Sequence, residues 1–153
     1  MTQASATHTP IISLAPAKLD DAQELAALRV EAMRESLERV GRFDPTRAAQ
    51  RFLSSFSPTH TRHIIVAHHR VGFVVVKPTA NHLLLDHLYV RPAEQGKKIG
   101  SAVLSLVFAE AQTQGLPIRV GALRDSPSNR FYMRHGFTLI EQSVFDNYYT
   151  REF

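Results

Sequence analysis

The stretch LLLDHLYVRPAEQGKKIGS, residues 83–101, decides how this sequence is to be read. Its first half, to Val90, is an extended apolar run interrupted only at Asp86 and His87, and Pro92 stops it because proline cannot donate to a strand ladder. A polar loop with Gly96, Lys97, Lys98 and Gly100 follows. From about Lys98 the period becomes helical, with Ile99, Val103, Leu106, Val107 and Ala111 expected on one face and Gly115 as the stop. A loop that enters a helix presents unpaired N–H groups and the positive end of the helix dipole, which favours an anion and above all phosphate. The lysines add charge, and the glycines let the backbone approach a ligand. The order Gly-Lys-Lys-Ile-Gly-Ser matches neither a nucleoside-triphosphate loop nor the three-glycine dinucleotide fingerprint.

Upstream, residues 11–14 read as a short first strand and 20–40 as a helix, with Asp20 as cap and Gln23 completing a capping box. Ala22, Leu25, Leu28, Ala32 and Leu37 give that helix its apolar face, and Gly41 ends it. Asp44-Pro45 starts a second helix carrying Phe52, Leu53 and Phe56. Residues 63–67 and 71–77 form a hairpin, and 82–90 a third long strand. Downstream, 118–123 is a strand, 126–134 a helix ended by Gly136, and 137–141 and 144–149 two closing strands. An order of β, α, α, three strands, α, β, α, β, β implies an α/β sandwich: a mixed sheet with helices on both faces.

The bulk properties fit one domain of 153 residues, with residues 1–10 as a polar tail and 11–153 as the folded unit. A chain this long buries roughly 68–70% of its unfolded surface and needs no staple. There is no cysteine, which rules out disulfides, zinc–thiolate sites and a cysteine nucleophile. No apolar run approaches the roughly 20 residues of a membrane helix, and the first ten residues lack the features of a signal peptide, so a cytoplasmic protein without membrane contact is expected. The charge, 18 basic against 14 acidic residues, suits either solubility or a polyanionic ligand. The lysines gather in one loop with no aromatic–basic stripe, which argues against nucleic acid. His68 and His69 fall in the expected hairpin turn with no carboxylate motif beside them, so no metal site is expected.

Residues 90–101 resemble the acetyl-CoA signature of the GCN5-related N-acetyltransferase (GNAT) family: Arg/Gln, two residues, Gly, one residue, Gly/Ala. Gln95 and Gly100 match, while Lys98 stands at the middle glycine, where a side chain is tolerated if the backbone keeps a negative φ. The stretch SPSNRFYMRHGF, residues 126–137, is similar to a later motif of the same family through Asn129, Phe131, Tyr132, Gly136 and Phe137. The resemblance covers nearly the whole chain and implies a central, mostly antiparallel mixed sheet of six to seven strands.

It also implies an N-acetyltransferase that passes the acetyl group of acetyl-CoA directly to a primary amine of a small molecule or peptide. A catalytically weak acetyl-CoA-binding module of the same fold is the alternative. The main chain of Leu88, Tyr89 and Val90 would pair with the pantetheine arm, and the Val90 N–H would polarise the thioester carbonyl. Gln95, Gly96, Lys97, Lys98, Ile99, Gly100 and Ser101 would cradle the pyrophosphate; Asn129 and Phe131 would complete the cofactor site. Tyr132 would serve the departing sulfur, since a phenol donates a proton or a hydrogen bond. Asp86 is the first candidate for the base that takes the amine's proton, and His87 the second. Strand alternation puts His87 and Tyr89 on the face opposite Asp86. Acceptor choice in the family usually lies with the first two helices, where Glu31, Glu35 and Glu38 share a face that would suit a cationic amine, unless Arg34 and Arg39 neutralise it. The aromatic C-terminal run 145–153 makes a homodimer possible.

Overall fold

A seven-stranded sheet in the order β1-β2-β3-β4-β5-β7-β6 forms the middle of the computed structural model, which describes residues 10–152. The strands are β1 (Ser13–Pro16), β2 (Thr61–Val66), β3 (His69–Pro78), β4 (Leu83–Val90), β5 (Ile118–Leu123), β6 (Thr138–Gln142) and β7 (Asp146–Arg151). Every pairing is antiparallel except β4 with β5. That parallel pair is joined by the crossover helix α3 (Ile99–Gln114), as parallel strands require. The mixed, mostly antiparallel sheet expected from the sequence is what forms. The polar tail expected over residues 1–10 lies, except for Pro10, outside the described residues, as does Phe153.

Helices α1 (Ala22–Arg39) and α2 (Pro45–Ser55) cover one face of the sheet, where Leu25, Leu28 and Phe52 pack on Phe73 and Val75. On the other face α3 and α4 (Ser128–Arg134) join Ile99, Val103, Leu104 and Tyr132 to Val74, Leu85 and Ile118. Phe52 is 1% exposed and Leu104 fully buried; burying such a side chain is worth about 1.5–3 kcal/mol. Leu106, expected on the inner face of α3, is instead 40% exposed. The buried stripe runs Ile99, Val103, Leu104, Val107, Ala111, and Leu106 falls on the far side of it. No described helix is long and apolar enough to cross a membrane.

Local chemistry explains most boundaries. Asp44 caps α2 by accepting from the Arg47 N–H at 3.1 Å, with Pro45 as the first helical residue. Gly41 follows α1 at φ +71, a conformation that favours glycine. The first helix differs from expectation: a 3₁₀ turn (Leu19–Asp21) precedes it, and Asp21 rather than Asp20 closes that turn by accepting from the Lys18 N–H at 2.8 Å. Strand β1 lies two residues later than expected because its register, Ser13 opposite Ile65 and Pro16 opposite Arg62, is set by β2. Pro16 is tolerated there because β1 is an edge strand. The β2–β3 turn is the dipeptide Ala67-His68, at φ +50 and +70, the left-handed pair that suits the twist of a hairpin.

Candidate active site

The site begins where the sheet comes apart. Strand β4 pairs with β5 only from Leu83 opposite Ile118 to Leu85 opposite Val120. Beyond that point β5 continues with β7, and β4 continues with β3 alone. The split starts at a β-bulge: Val76 faces Leu85 and Val75 faces His87, so Asp86 is the extra residue. The bulge reverses the strand's phase. Leu85 packs toward α3 with Val76, whereas His87, two residues on, packs toward α2 against Phe52 and Phe73. The expectation that plain alternation keeps Asp86 apart from His87 therefore fails: Asp86 Oδ2 lies 3.8 Å from His87 Nε2 and 3.2 Å from Lys77 Nζ.

Main-chain groups of the free β4 edge face the split. The Arg91 N–H donates to the Val71 carbonyl across β3 at 2.8 Å, so the alternating Val90 and Leu88 N–H groups point the other way, toward β5. The Tyr89 main chain points to β3, where a methyl group at Gly72 would collide with its carbonyl. Of the three residues expected to offer main chain to a ligand, Leu88 and Val90 turn their N–H groups toward the split, and Tyr89 turns its main chain to β3. A cleft of about 640 Å³ opens here, walled by α1 and α2 on one side and by β4, β5, α4 and the β6–β7 hairpin on the others.

The loop from β4 to α3 is tightly built. The Gln95 side chain donates to the Val90 carbonyl at 3.0 Å, and Lys97 pairs with Glu94 at 3.1 Å. Gly96 has φ +81. Lys98, the N-cap of α3, has φ +63, contrary to the negative φ expected of a side chain there. The lysine is thus held in the left-handed region that favours glycine, at a cost on the order of 1–2 kcal/mol. No side chain caps α3, so the first N–H groups of the helix stay available, and the Ser101 N–H is among them. Ile99 is 3% exposed and anchors the loop in the core. Gly100 is small for an internal reason: a Cβ there would meet Phe131 Cζ at 3.0 Å.

Tyr132 lines the cleft from α4 at 6% exposure, its ring packed between Phe131, Phe137 and Tyr149. Burial, and then the nearby Tyr89, push its hydroxyl well above the usual phenol range, so it stays protonated. Asn129 is spent inside the fold: its Nδ2 donates to the Leu123 and Ser126 carbonyls at 2.9 Å, and its Oδ1 accepts from Asn147 Nδ2 at 2.9 Å and from the Tyr149 hydroxyl at 2.7 Å. An amide carrying four hydrogen bonds has no capacity left for a ligand. Phe131 serves as the ring against which α3 closes.

His87 sits among the rings of Phe52, Phe73 and Tyr89, its Nδ1 3.3 Å from the Tyr89 hydroxyl. Burial drives its pKa down to about 4 against the pull of Asp86, and Arg29 and Lys77 add to the lowering. It is a neutral imidazole at pH 7. The acidic helix face does not reach the cleft: Glu38 pairs with Arg34 at 3.5 Å and Glu35 with Arg39 at 3.3 Å, and neither they nor Glu31 line it. Arginines 29, 47 and 51 line it instead, and sequence reasoning missed them. Arg29 left a signal, for it falls in the apolar stripe of α1 at Leu25, Arg29, Ala32 spacing. Among the described residues no cluster of three or more His, Asp or Glu could hold a metal ion.

Known proteins share this fold. An acetyltransferase from Thermus thermophilus superposes with a TM-score of 0.73 at 17% identity, over 95% of this chain and 99% of that one. The PaiA N-acetyltransferase of Thermoplasma acidophilum, solved in complex with coenzyme A, gives 0.69 at 19% identity, over 94% and 99%. A GNAT family acetyltransferase from Elizabethkingia anophelis with acetyl-CoA bound gives 0.65 at 14% identity, over 93% and 98%. No curated protein sequence matches the chain. The sequence model of the acetyltransferase (GNAT) domain matches residues 60–139, which run from the start of β2 through the split strand, the α3 loop and α4 to the start of β6, and the chain therefore belongs to the GNAT family of acetyltransferases.

Proposed function

We propose that this protein transfers the acetyl group of acetyl-CoA to a primary amine of a small molecule or peptide, by direct attack in a ternary complex. The observation that carries this reading is the split after Leu85, which exposes the Val90 N–H and Leu88 main chain beside both Asp86 and Tyr132. The residues present fit the cofactor. The free β4 edge suits the amides of a pantetheine arm, and the uncapped N-terminus of α3 with Gly96, Lys97 and Lys98 suits a pyrophosphate. Acetyl-CoA supplies an acyl group activated as a thioester.

The chain's residues do the rest. Asp86 attracts the acceptor's ammonium and takes its proton, directly or through water, because only the free amine has a lone pair. The Val90 N–H donates to the carbonyl oxygen as charge builds on it. As the new C–N bond forms and the C–S bond breaks, the nitrogen sheds its second proton to solvent, CoA leaves as the thiolate, and Tyr132 hydrogen-bonds the departing sulfur. Because its pKa is raised, that phenol is a better hydrogen-bond donor to a thiolate than a full proton source. His87, with its lowered pKa, is a poor proton acceptor and shapes the cleft wall. Asn129 is left to its structural clamp.

The melting temperature with and without acetyl-CoA tests the cofactor half. Ligand at 100 times its Kd adds about 2.7 kcal/mol, a rise of about 5–11 °C for a domain of this size. No rise at millimolar acetyl-CoA defeats the proposal. A rise without acetylation of any amine in a broad screen favours a binding module of the same fold.

A further inference from the structure

We propose that the acceptor, on the transferase reading above, is an amine that also carries an anionic group, a carboxylate or a phosphate, gripped by Arg29, Arg47 and Arg51 on the α1–α2 wall of the cleft. All three line the cleft on the face of the sheet opposite α3, whose N-terminal loop is the place for the pyrophosphate. None of them forms an ion pair with a carboxylate among the described residues, whereas Arg34, Arg39, Arg62 and Arg70 all do.

Arg29 is the most exacting of the set. Its Nη1 donates to the Ala48 carbonyl at 2.6 Å, which fixes the guanidinium against α2, yet its Nε is buried with no hydrogen-bond partner. A buried N–H of a charged group left unmade is costly, and an anion in the cleft removes that cost. Its charge is felt at both His87 and Tyr89, and that of Arg51 at Tyr89, so the two guanidinium groups converge on the β4 residues next to Asp86. Arg47 and Arg51 are one helical turn apart on α2.

The carboxylates that line the cleft, Asp44, Asp86, Glu141 and Asp146, form no ion pair with these arginines among the described residues; Asp44 accepts from the Arg47 main-chain N–H, and Asp86 lies beside Lys77. Planar guanidinium groups match carboxylate and phosphate alike through paired N–H donors. The acceptor then lies across the cleft with its anion at the arginines and its amino group at Asp86.

The test measures acceptor binding, by calorimetry in the presence of CoA, so that it does not depend on turnover. Two matched pairs serve as probes: leucine against leucinamide, and phosphoethanolamine against ethanolamine. The expected result is roughly tenfold to a hundredfold tighter binding of the anionic member of at least one pair. The pair that shows it identifies carboxylate or phosphate. Arg47→Ala/Arg51→Ala should erase most of the preference while leaving CoA affinity unchanged, and Arg29→Met should do the same if it folds. Equal or tighter binding of the uncharged members overturns the proposal, as does a preference that survives in the double variant. Anion selectivity without acetyl transfer would sink the transferase reading and uphold the anion site.

Discussion

Two aspartate–histidine pairs stand on either side of Phe73, one opposite it on β2 and the other against its ring from β4, and they have been put to different uses. On the β2 side, Asp21 Oδ2 meets His63 Nε2 at 2.9 Å, with the Lys18 N–H at 2.8 Å and Arg70 Nη1 at 3.3 Å completing its shell. The His63 hydrogen bond, then that of Lys18, hold the Asp21 carboxyl down to about 2. His63 is 1% exposed, whereas the Asp21 side chain keeps 12% of its surface in solvent. The cluster pins the 3₁₀ turn, β2 and β3 together. In the cleft, Asp86 and His87 are adjacent in sequence, yet they sit 3.8 Å apart and share no hydrogen bond; Lys77 holds the aspartate and aromatic rings enclose the histidine. A charge tightly matched inside the fold stabilises it, while charges imperfectly matched beside a cavity are left for a ligand.

The largest expected effect breaks the first pair. Asp21→Ala strands a buried histidine and removes the carboxylate between it and Arg70, so stability should fall by about 3 kcal/mol and the melting temperature by roughly 6–12 °C. Activity per folded molecule should persist at low temperature. A melting temperature within a degree of wild type would show that the pair is ornamental. In the cleft the expected effects reverse: Tyr132→Phe should leave the melting temperature nearly unchanged but lower kcat by about tenfold to a hundredfold, within the usual range for proton-transfer groups. Because the phenol stays protonated throughout, the loss should be equal at every pH from 6 to 9. A pH-dependent loss would show that Tyr132 titrates during turnover.

Acid titration separates the pairs further. His87 has a folded pKa of about 4 against 6.5 unfolded, so the unfolded chain binds its proton first and stability declines as pH falls from 6.5 to about 4. Asp21, at about 2 against 3.8, yields a second decline from about 4 to 2. Unfolding free energies measured across this range should show both stages, His87→Gln flattening the upper and Asp21→Asn the lower. If His87→Gln leaves the upper stage intact, its burial is not the cause. The smallest effect expected is that of His87→Gln on turnover at pH 7.5, less than about threefold, since a neutral imidazole in an aromatic cage is a poor base. A drop of a hundredfold would return His87 to the role of base.

Much of this was legible in the residues alone. Asp44-Pro45, Gly41, Gly115 and Gly136 announce where helices start and stop because capping and positive φ are local requirements. The run from Leu83 to Ser101 carries its own strand, loop and helix, and with Tyr132 it carries most of the candidate site. What the tertiary structure decided are features that depend on a second segment. The bulge at Asp86 exists only in the register of β4 against β3, and the split only because β5 turns to β7 after Val120. The Oδ1 of Asn129 is filled by β7 residues 18 and 20 positions away, and Gly100 is small because Phe131 closes on it. Asp21 finds His63 across 42 residues, and Arg29 meets the cleft only once α2 lies beside α1. Spacing along a chain records the local geometry of a helix or a strand; which side chains then meet across the sheet is set by packing between elements that no local pattern encodes.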